Sequence, residues 1–525
     1  MCGIVGVLGD HEVAPIIVEG LKRLEYRGYD SAGIATINEA SALDRRRAVG
    51  KLVNLSDHLV HNPLPGRAGI GHTRWATHGA PNEANAHPHR AGSVAVVHNG
   101  IIENYAELRE ELGLKGFAAE TETDTETVAM LAQSYLDAGK TPVEAVRATL
   151  ARLEGAFALL FLFDGETDLM IAARKGSPLA IGHGDGEMFV GSDAIALAPM
   201  TDKITYLEEG DWAVITRAGA TIYDESGKLA NREMRAVRLD ATRIEKGGYR
   251  HFMAKEIAEQ PTVVSRVLDA YLDAGGVAME LPGIDFAATE RLTIVACGTA
   301  YYAGLVAKYW FERYARLPVD IDVASEFRYR EPPVAPGTLG IFVSQSGETA
   351  DTLAALRYAR DKVEKIVSLV NVPESSIARE SDVAVAIHAG PEIAVASTKA
   401  FTGQLTTFAV LVIKAALDRG TVDAAGAAEL VEALRKLPGL MSHALSVDAA
   451  IEEVAREVAE ARDVLFLGRG QMFPLALEGA LKLKEISYIH AEGYPSGELK
   501  HGPIALVDKE TPPVVLAPHD GLYDK

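Results

Sequence analysis

LGIFVSQSGETADT (339–352) reads as a buried strand, a serine-rich turn and the opening of a helix. Its first residues are uncharged and rich in β-formers, as in a strand covered on both faces. Working outward, the same texture recurs. RLTIVACG (291–298) precedes it, KIVSLVNV (365–372) and VAVAIHA (383–389) follow, and helical stretches lie between them. That alternation predicts an α/β region built on a doubly wound parallel sheet with helices on both faces. LTIVACGTA (292–300) and VLFLGRGQM (464–472) share a strand, a glycine-containing turn and a helix start, so the unit is expected to begin near 290 and again near 460. The second copy offers a strand, a helix over 474–489, a Gly/Pro-rich loop and one more strand, PVVLAPH (513–519). Two strands and a helix do not close a sheet, so this module is expected to be incomplete at its C-terminus.

The first 240 residues or so have a different texture. Strand candidates are GIVGVLG (3–9), SAGIATI (31–37), GIGHTRW (69–75), SVAVVHNG (93–100), FALLFLFD (157–164), DLMIAAR (168–174), EMFVGSD (187–193) and WAVIT (212–216). Helices are expected at 12–25, 103–112, 124–138 and 142–153, where apolar residues recur at three and four. Strands and helices come in runs, which predicts an α+β part with sheet packed on sheet and helices outside. A charged stretch, VRLDATRIEKGGYRHFMAKEIAEQP (237–261), reads as a linker leading into a helix that stops at Pro261. The expected domains are therefore 2–235, a connection over 236–284, a first module at 285–430 and a second at 455–525.

Composition narrows the function. The chain has 525 residues, 52 Lys and Arg against 73 Asp and Glu, and a net charge of −21. That balance argues against nucleic-acid or anionic-membrane partners, which need positive surface, but not against an anionic ligand in a local pocket. Cys2 and Cys297 are the only cysteines, too few for a disulfide framework or a cysteine-rich zinc site, and the usage suits a reducing cytoplasm. The N-terminus has no basic region before its short apolar run, so no signal peptide is expected. Apolar runs such as FAVLVIKAAL (408–417) are broken by charge well short of a membrane span.

Several constellations could carry chemistry. With the initiator Met removed, Cys2 would hold a thiol and an α-amine of pKa near 8 on one residue, so that the amine could serve as base for its own nucleophile. Position alone also allows a buried Cys opening an edge strand. HTRWATHG (72–79) offers Arg74, a planar donor suited to a carboxylate. His72, His78, His87 and His89 cluster there, but no Asp, Glu or Cys stands at ligand spacing, so no metal is expected. Asn99-Gly100 reads as an oxyanion hole or as a simple β-turn. Asp124 reads by itself as a helix N-cap. SQSGET after a buried strand suits phosphate held by N–H groups and hydroxyls, from Ser344, Gln345, Ser346 and Thr349 together with Thr299; a serine-rich N-cap loop is the plainer alternative. Lys482 and Glu485 stand three apart on one helix face, and a surface ion pair would explain them equally. His501 in a loop reads on its own as a solvated residue.

MCGIVG, LEYRGYDSAG (24–33), HTRWATHG, NAHPH (85–89), VHNGIIEN and ETDTE, in this order, resemble class II (N-terminal nucleophile) glutamine amidotransferases. CGTAYYAG (297–304), ASEFRYR (324–330), SQSGETADT, ASTKAF (396–401) and LKLKEISYIHAEGYPSGELKHGP (481–503) resemble sugar isomerase modules. The combination is similar to the isomerizing glutamine–fructose-6-phosphate aminotransferase family along essentially the whole chain. The resemblance implies an N-terminal-nucleophile sandwich followed by two isomerase modules. It also implies conversion of L-glutamine and D-fructose-6-phosphate to D-glucosamine-6-phosphate and L-glutamate, without a cofactor. Cys2 would attack the glutamine amide. Arg74 would bind the α-carboxylate and Asp124 the α-ammonium, Asn99 and Gly100 would form the oxyanion hole, and Thr77 and His78 would line the pocket. Trp75 would gate an ammonia channel. Val395 and Ser397 would contact the sugar. Glu485, supported by Lys482, would move a proton between C1 and C2, and His501 would open the sugar ring across the interface of a homodimer formed through the isomerase modules. Two rivals need other features: a purine- or asparagine-forming amidotransferase would carry a different downstream module, and a sugar-phosphate-binding regulator would not need Cys2, Arg74 or Asp124. Ala300 stands where many relatives carry Ser. Relatives also continue past residue 525 into a tail whose lysine forms a Schiff base; Lys525 is not expected to be that residue, and little amino sugar is expected from the chain as written.

Overall fold

The computed structural model describes residues 2–25, 29–75, 78–236, 246–508 and 510–523. It divides into two compact units, Met1–Glu245 and Lys246–Lys525.

In the first unit, strand Gly3–Leu8 is buried along its whole length. Ile4 and Leu8 face one core and Val5 and Val7 another, so both faces of its sheet are covered. That sheet has eight strands in the order Met234–Ala236, Lys203–Tyr206, Ala180–His183, Met188–Gly191, Gly3–Leu8, Ala68–Arg74, Ser31–Ile37 and Leu43–Val49. A second sheet has six, in the order Gly219–Tyr223, Trp212–Thr216, Met170–Lys175, Gly155–Phe163, Val94–Ile102 and His89–Ala91. Ile4 and Ile70 of the first sheet meet Val97 and Leu160 of the second in the central core. Helices Ala14–Lys22 and Leu52–His61 cover the first sheet outside. Helices Tyr105–Leu114, Asp124–Asp137 and Pro142–Leu150 cover the second. This is the expected sandwich with outer helices.

In the second unit five parallel strands lie in the order Val319–Val323, Arg291–Ala296, Thr338–Ser344, Lys365–Val370 and Val383–Ala386. Helices Phe252–Tyr271, Gly298–Trp310 and Lys399–Asp418 pack on one face and Ala324–Arg330 and Ala350–Ala359 on the other, the doubly wound arrangement. The winding reverses between Arg291–Ala296 and Thr338–Ser344, and the crevice beyond their C-terminal ends is where such folds bind ligands. Lys399–Asp418 is long and apolar enough to cross a membrane, and 67% of its apolar window is buried within the unit.

Two expectations are corrected here. The helix expected to stop at Pro261 runs on as Phe252–Tyr271. Proline removes the N–H that would bond the Ile257 carbonyl, and Gln260 Nε2 donates to that carbonyl instead at 3.2 Å. Burial of Val263, Val264, Val267 and Leu268 then favours continuation. The stretch read as a Gly/Pro-rich loop holds a third strand, His490–Pro495, in a parallel sheet ordered His490–Pro495, Asp463–Gly468, Pro513–Leu516. Its glycine has a packing role: a Cβ at Gly493 would lie 2.9 Å from the Leu477 Cα of helix Met472–Ser487.

Candidate active site

Register builds the first constellation. Gly3 pairs with Thr73, which sets Arg74 and Trp75 beside Cys2. The Trp75 N–H donates to Cys2 Sγ at 3.1 Å. From the facing sheet, Asn99 and Gly100 lie within strand Val94–Ile102, paired with Ala158 and Phe157, so the β-turn alternative is wrong. Gly100 has φ +128, and a Cβ there would lie 2.0 Å from the Ala156 carbonyl oxygen, so only glycine fits. Asn99 Nδ2 donates to the Cys2 carbonyl at 3.2 Å.

A pocket is lined by Cys2, Arg74, Trp75, His78, Gly100 and Asp124. Thr77 lies outside the described residues. Asp124 is the first residue of its helix and not the N-cap, which is Thr123. Its buried carboxylate instead accepts from the Ile102 N–H at 2.9 Å. Arg74 is buried; it donates to the His78 carbonyl at 2.5 Å and the Gly79 carbonyl at 3.1 Å, and pairs with Asp30 at 3.4 Å. Glu122 accepts from the Ala80 N–H at 3.0 Å and from Asn85 Nδ2 at 2.8 Å, tying down the same loop. Sequence reasoning missed Asp30 and Glu122, although both lie in the quoted motifs. Trp75 is half exposed. Burial pushes the Cys2 thiol up, opposed by the Trp75 N–H and the positive charge of Arg74. The sulfur is therefore protonated at neutral pH and needs a base before it can attack.

The second constellation sits at the switch point of the five-stranded sheet. Ser344 ends its strand, buried, with Oγ 2.8 Å from Thr349 Oγ1 and accepting from the Gly347 N–H at 3.0 Å. Ser346 Oγ accepts from the Glu348 N–H at 3.1 Å. Gln345 contributes its carbonyl to the Asn371 N–H at 3.1 Å. Thr349 is the N-cap of helix Ala350–Ala359, and its side chain makes no capping bond. The turn thus gathers hydroxyls and a helix N-terminus without a lysine, a surrounding suited to phosphate.

Helix Met472–Ser487 supplies the third group. Lys482 Nζ lies 2.6 Å from Glu485 and 3.4 Å from Glu478, and donates to Thr299 Oγ1 at 3.0 Å. Thr299 donates in turn to Glu478 at 3.1 Å. Lys482 and Glu485 do share a face, and the Thr299 hydroxyl bonds to this helix, at Lys482 and Glu478. Burial pushes Glu478 up to about 7, with Lys482 pulling the other way. Sequence reading missed Glu478; the i, i+4, i+7 spacing of Glu478, Lys482 and Glu485 was the available signal. Ser397 Oγ donates to Glu392 at 2.8 Å, and Val395 is exposed on the same loop. His501 is exposed at the end of the 3-10 turn Ser496–His501. Ala300 is buried in the first turn of helix Gly298–Trp310.

Residues 72–199 match the glutamine amidotransferase domain family, and residues 285–414 and 457–525 match the SIS domain family. The glutamine–fructose-6-phosphate aminotransferases (isomerizing) of Brucella suis biovar 1 and Bradyrhizobium diazoefficiens are each 60% identical, over 527 and 528 residues respectively. Both alignments cover 100% of this chain and 87% of the relative. The solved C-terminal domain of glucosamine-fructose-6-phosphate aminotransferase from Francisella tularensis matches at 47% identity and a TM-score of 0.52, over 53% of this chain and 79% of that one. With such identity sustained along its whole length, the chain belongs to the glutamine–fructose-6-phosphate aminotransferase (isomerizing) family.

Proposed function

We propose that this chain transfers the amide nitrogen of L-glutamine to D-fructose-6-phosphate and isomerises the sugar, giving D-glucosamine-6-phosphate and L-glutamate, the first step of hexosamine synthesis. One observation carries the reading: Cys2 Sγ stands in a pocket with Arg74, Gly100 and Asp124, its sulfur held by the Trp75 N–H at 3.1 Å.

In this reading residues 2–235 are the glutaminase, 236–284 the connection, and 285–430 and 455–525 the isomerase modules. The α-amine of Cys2, freed by removal of Met1, takes the thiol proton, and the thiolate attacks the glutamine amide carbon. The oxyanion is held by Asn99 Nδ2–H and the Gly100 N–H. The amine returns the proton to the leaving ammonia, and water releases glutamate from the thioester. Arg74 and Asp124 hold the two ends of the amino acid, with Thr77 and His78 beside them and Trp75 guarding the exit. In the isomerase modules the Ser344–Thr349 turn and Thr299 hold the phosphate, Val395 and Ser397 touch the sugar, and Glu485 with Lys482 moves the proton from C1 to C2. His501 opens the ring in the site of a second copy, so the working form is a homodimer, and the reaction belongs to the cytoplasm. The test is glutamate release by the full chain with and without fructose-6-phosphate. Stimulation by that sugar, and none by phosphoribosyl pyrophosphate or by aspartate with ATP, is expected; the reverse pattern contradicts the reading.

A further inference from the structure

His72, His87, His89 and His98 are buried together in the first unit, and the reaction as read above uses none of them. The rings of His72 and His87 stack at 4.1 Å, and His87 meets His89 edge-on at 4.7 Å. Among the described residues no group of three or more His, Cys, Asp or Glu is arranged to hold a metal ion. The imidazoles face amides and hydroxyls instead: His98 Nδ1 lies 3.0 Å from Thr125 Oγ1, and His89 Nε2 lies 3.1 Å from Thr123 Oγ1.

His98 Nδ1 lies 3.8 Å from the Asp124 carboxylate, and His72 touches the amide read as an oxyanion donor. The Nε2 of His72 lies 3.0 Å from Asn99 Oδ1. On the other side of that amide, Nδ2 faces the Cys2 carbonyl at 3.2 Å. A carbonyl oxygen can only accept, so the amide must turn its NH2 toward Cys2 and its oxygen toward His72. The amide oxygen also only accepts, so Nε2 of His72 must carry the proton. Burial lowers the imidazole pKa to about 3, which leaves a neutral ring with a single N–H. The His98 backbone approaches the ring, but Nδ1 completes no hydrogen bond, so the proton has its partner at Nε2.

We propose that His72 is a positioning residue for glutamine hydrolysis: its Nε2–H pins the Asn99 carboxamide so that the second N–H of Nδ2 points at the oxyanion formed on Cys2. Without that donor the amide is free to turn over and present a lone pair to developing negative charge, which reverses the sign of the interaction. The inference rests on the reading of Asn99 as an oxyanion donor.

The experiment is steady-state glutamine hydrolysis by the full chain carrying His72→Phe, His72→Leu, His72→Gln or Asn99→Ala, and by the double variant His72→Phe/Asn99→Ala. Phe and Leu remove the donor, and kcat is expected to fall roughly tenfold or more with KM changed by less than about threefold. Gln restores an N–H donor and is expected to keep kcat within about threefold of wild type. In the Asn99→Ala background His72→Phe should cost less than about twofold more, because the group it positions is gone. If neither apolar variant folds, His72→Asn replaces them, since its shorter amide cannot reach Asn99. A Gln variant as slow as the variants lacking the donor, or losses at 72 and 99 that multiply, overturns the inference. Asn99→Ala alone separates the two levels. Full activity there removes the oxyanion reading, and the His72 role with it. A fall there with none in His72→Phe removes only the His72 role.

Discussion

The Thr299 hydroxyl donates to Glu478 Oε1 at 3.1 Å, across 179 positions of sequence. The contact ties the first turn of helix Gly298–Trp310 to the helix that carries Lys482 and Glu485. It also leaves the Glu478 carboxylate buried in the second unit; burial likewise pushes Glu256 up to about 7, reinforced by the charge of the buried Glu392.

These two carboxylates give a signed pH dependence. A glutamate free in the unfolded chain releases its proton near 4.5, whereas Glu256 keeps its own until about 7. Between those values the folded chain binds a proton that the unfolded chain has lost, so this group's contribution to stability falls as pH rises through the window. Glu256→Gln is neutral throughout and still accepts from the Ile393 and Ala394 N–H groups. Relative to wild type, the variant should gain roughly 1–3 kcal/mol between pH 4.5 and pH 7.5. Denaturant midpoints across that range measure it, and parallel pH curves for the two proteins would contradict it.

Gly100→Ala should be disruptive out of proportion to its size. The position has φ +128, and the added Cβ would lie 2.0 Å from the Ala156 carbonyl oxygen. A destabilisation of at least about 2 kcal/mol is expected from backbone strain and displacement of the paired strand. Glutamine hydrolysis should fall with it. Urea unfolding at an unchanged m-value checks the first effect, and kcat the second.

Ser346→Ala combined with Thr349→Ala should weaken fructose-6-phosphate binding by several kcal/mol at most, since each hydrogen bond to a charged group is worth about 1.5–3 kcal/mol. Basal glutaminase activity should survive, because the turn lies in the second compact unit and Cys2 in the first. Calorimetric titration with fructose-6-phosphate decides it; an unchanged affinity removes these residues from the phosphate site.

Gln260→Ala should cost about 0.5–1.5 kcal/mol, because it strips the Ile257 carbonyl of the donor that stands in for the missing Pro261 N–H. A Tm equal to that of wild type would show that water replaces the side chain without loss.

Elements buried on both faces were the most legible. Gly3–Leu8 (GIVGVL) and the LGIFV stretch of Thr338–Ser344 are continuous apolar runs because both sides of each strand meet a core. Leu43–Val49, LDRRRAV, was not legible, since it is an edge strand whose arginines do the packing. Arg47 Nη1 donates to the Ala84 and Ala86 carbonyls at 2.8 and 3.1 Å, and Arg45 to that of Pro88 at 3.1 Å. Strands such as Ala180–His183 and Lys203–Tyr206 are too short for a period to emerge. Local rules failed at the site itself. Asn-Gly signals a turn, yet here both residues lie mid-strand because the glycine's positive φ is needed where the chain passes Ala156. Asp124 imitates an N-cap but spends its carboxylate on Ile102, a contact fixed by tertiary structure alone.

Everything turns on Cys2 as the nucleophile that releases ammonia from glutamine, and the most direct measurement is a peptide map of the full chain after reaction with an electrophilic glutamine analogue, paired with glutamine turnover by Cys2→Ala. A single adduct on Cys2 with Met1 removed is expected, with label appearing in step with loss of turnover and no glutamate from Cys2→Ala above the buffer rate. An adduct on Cys297, or turnover by Cys2→Ala within about tenfold of wild type, would contradict it.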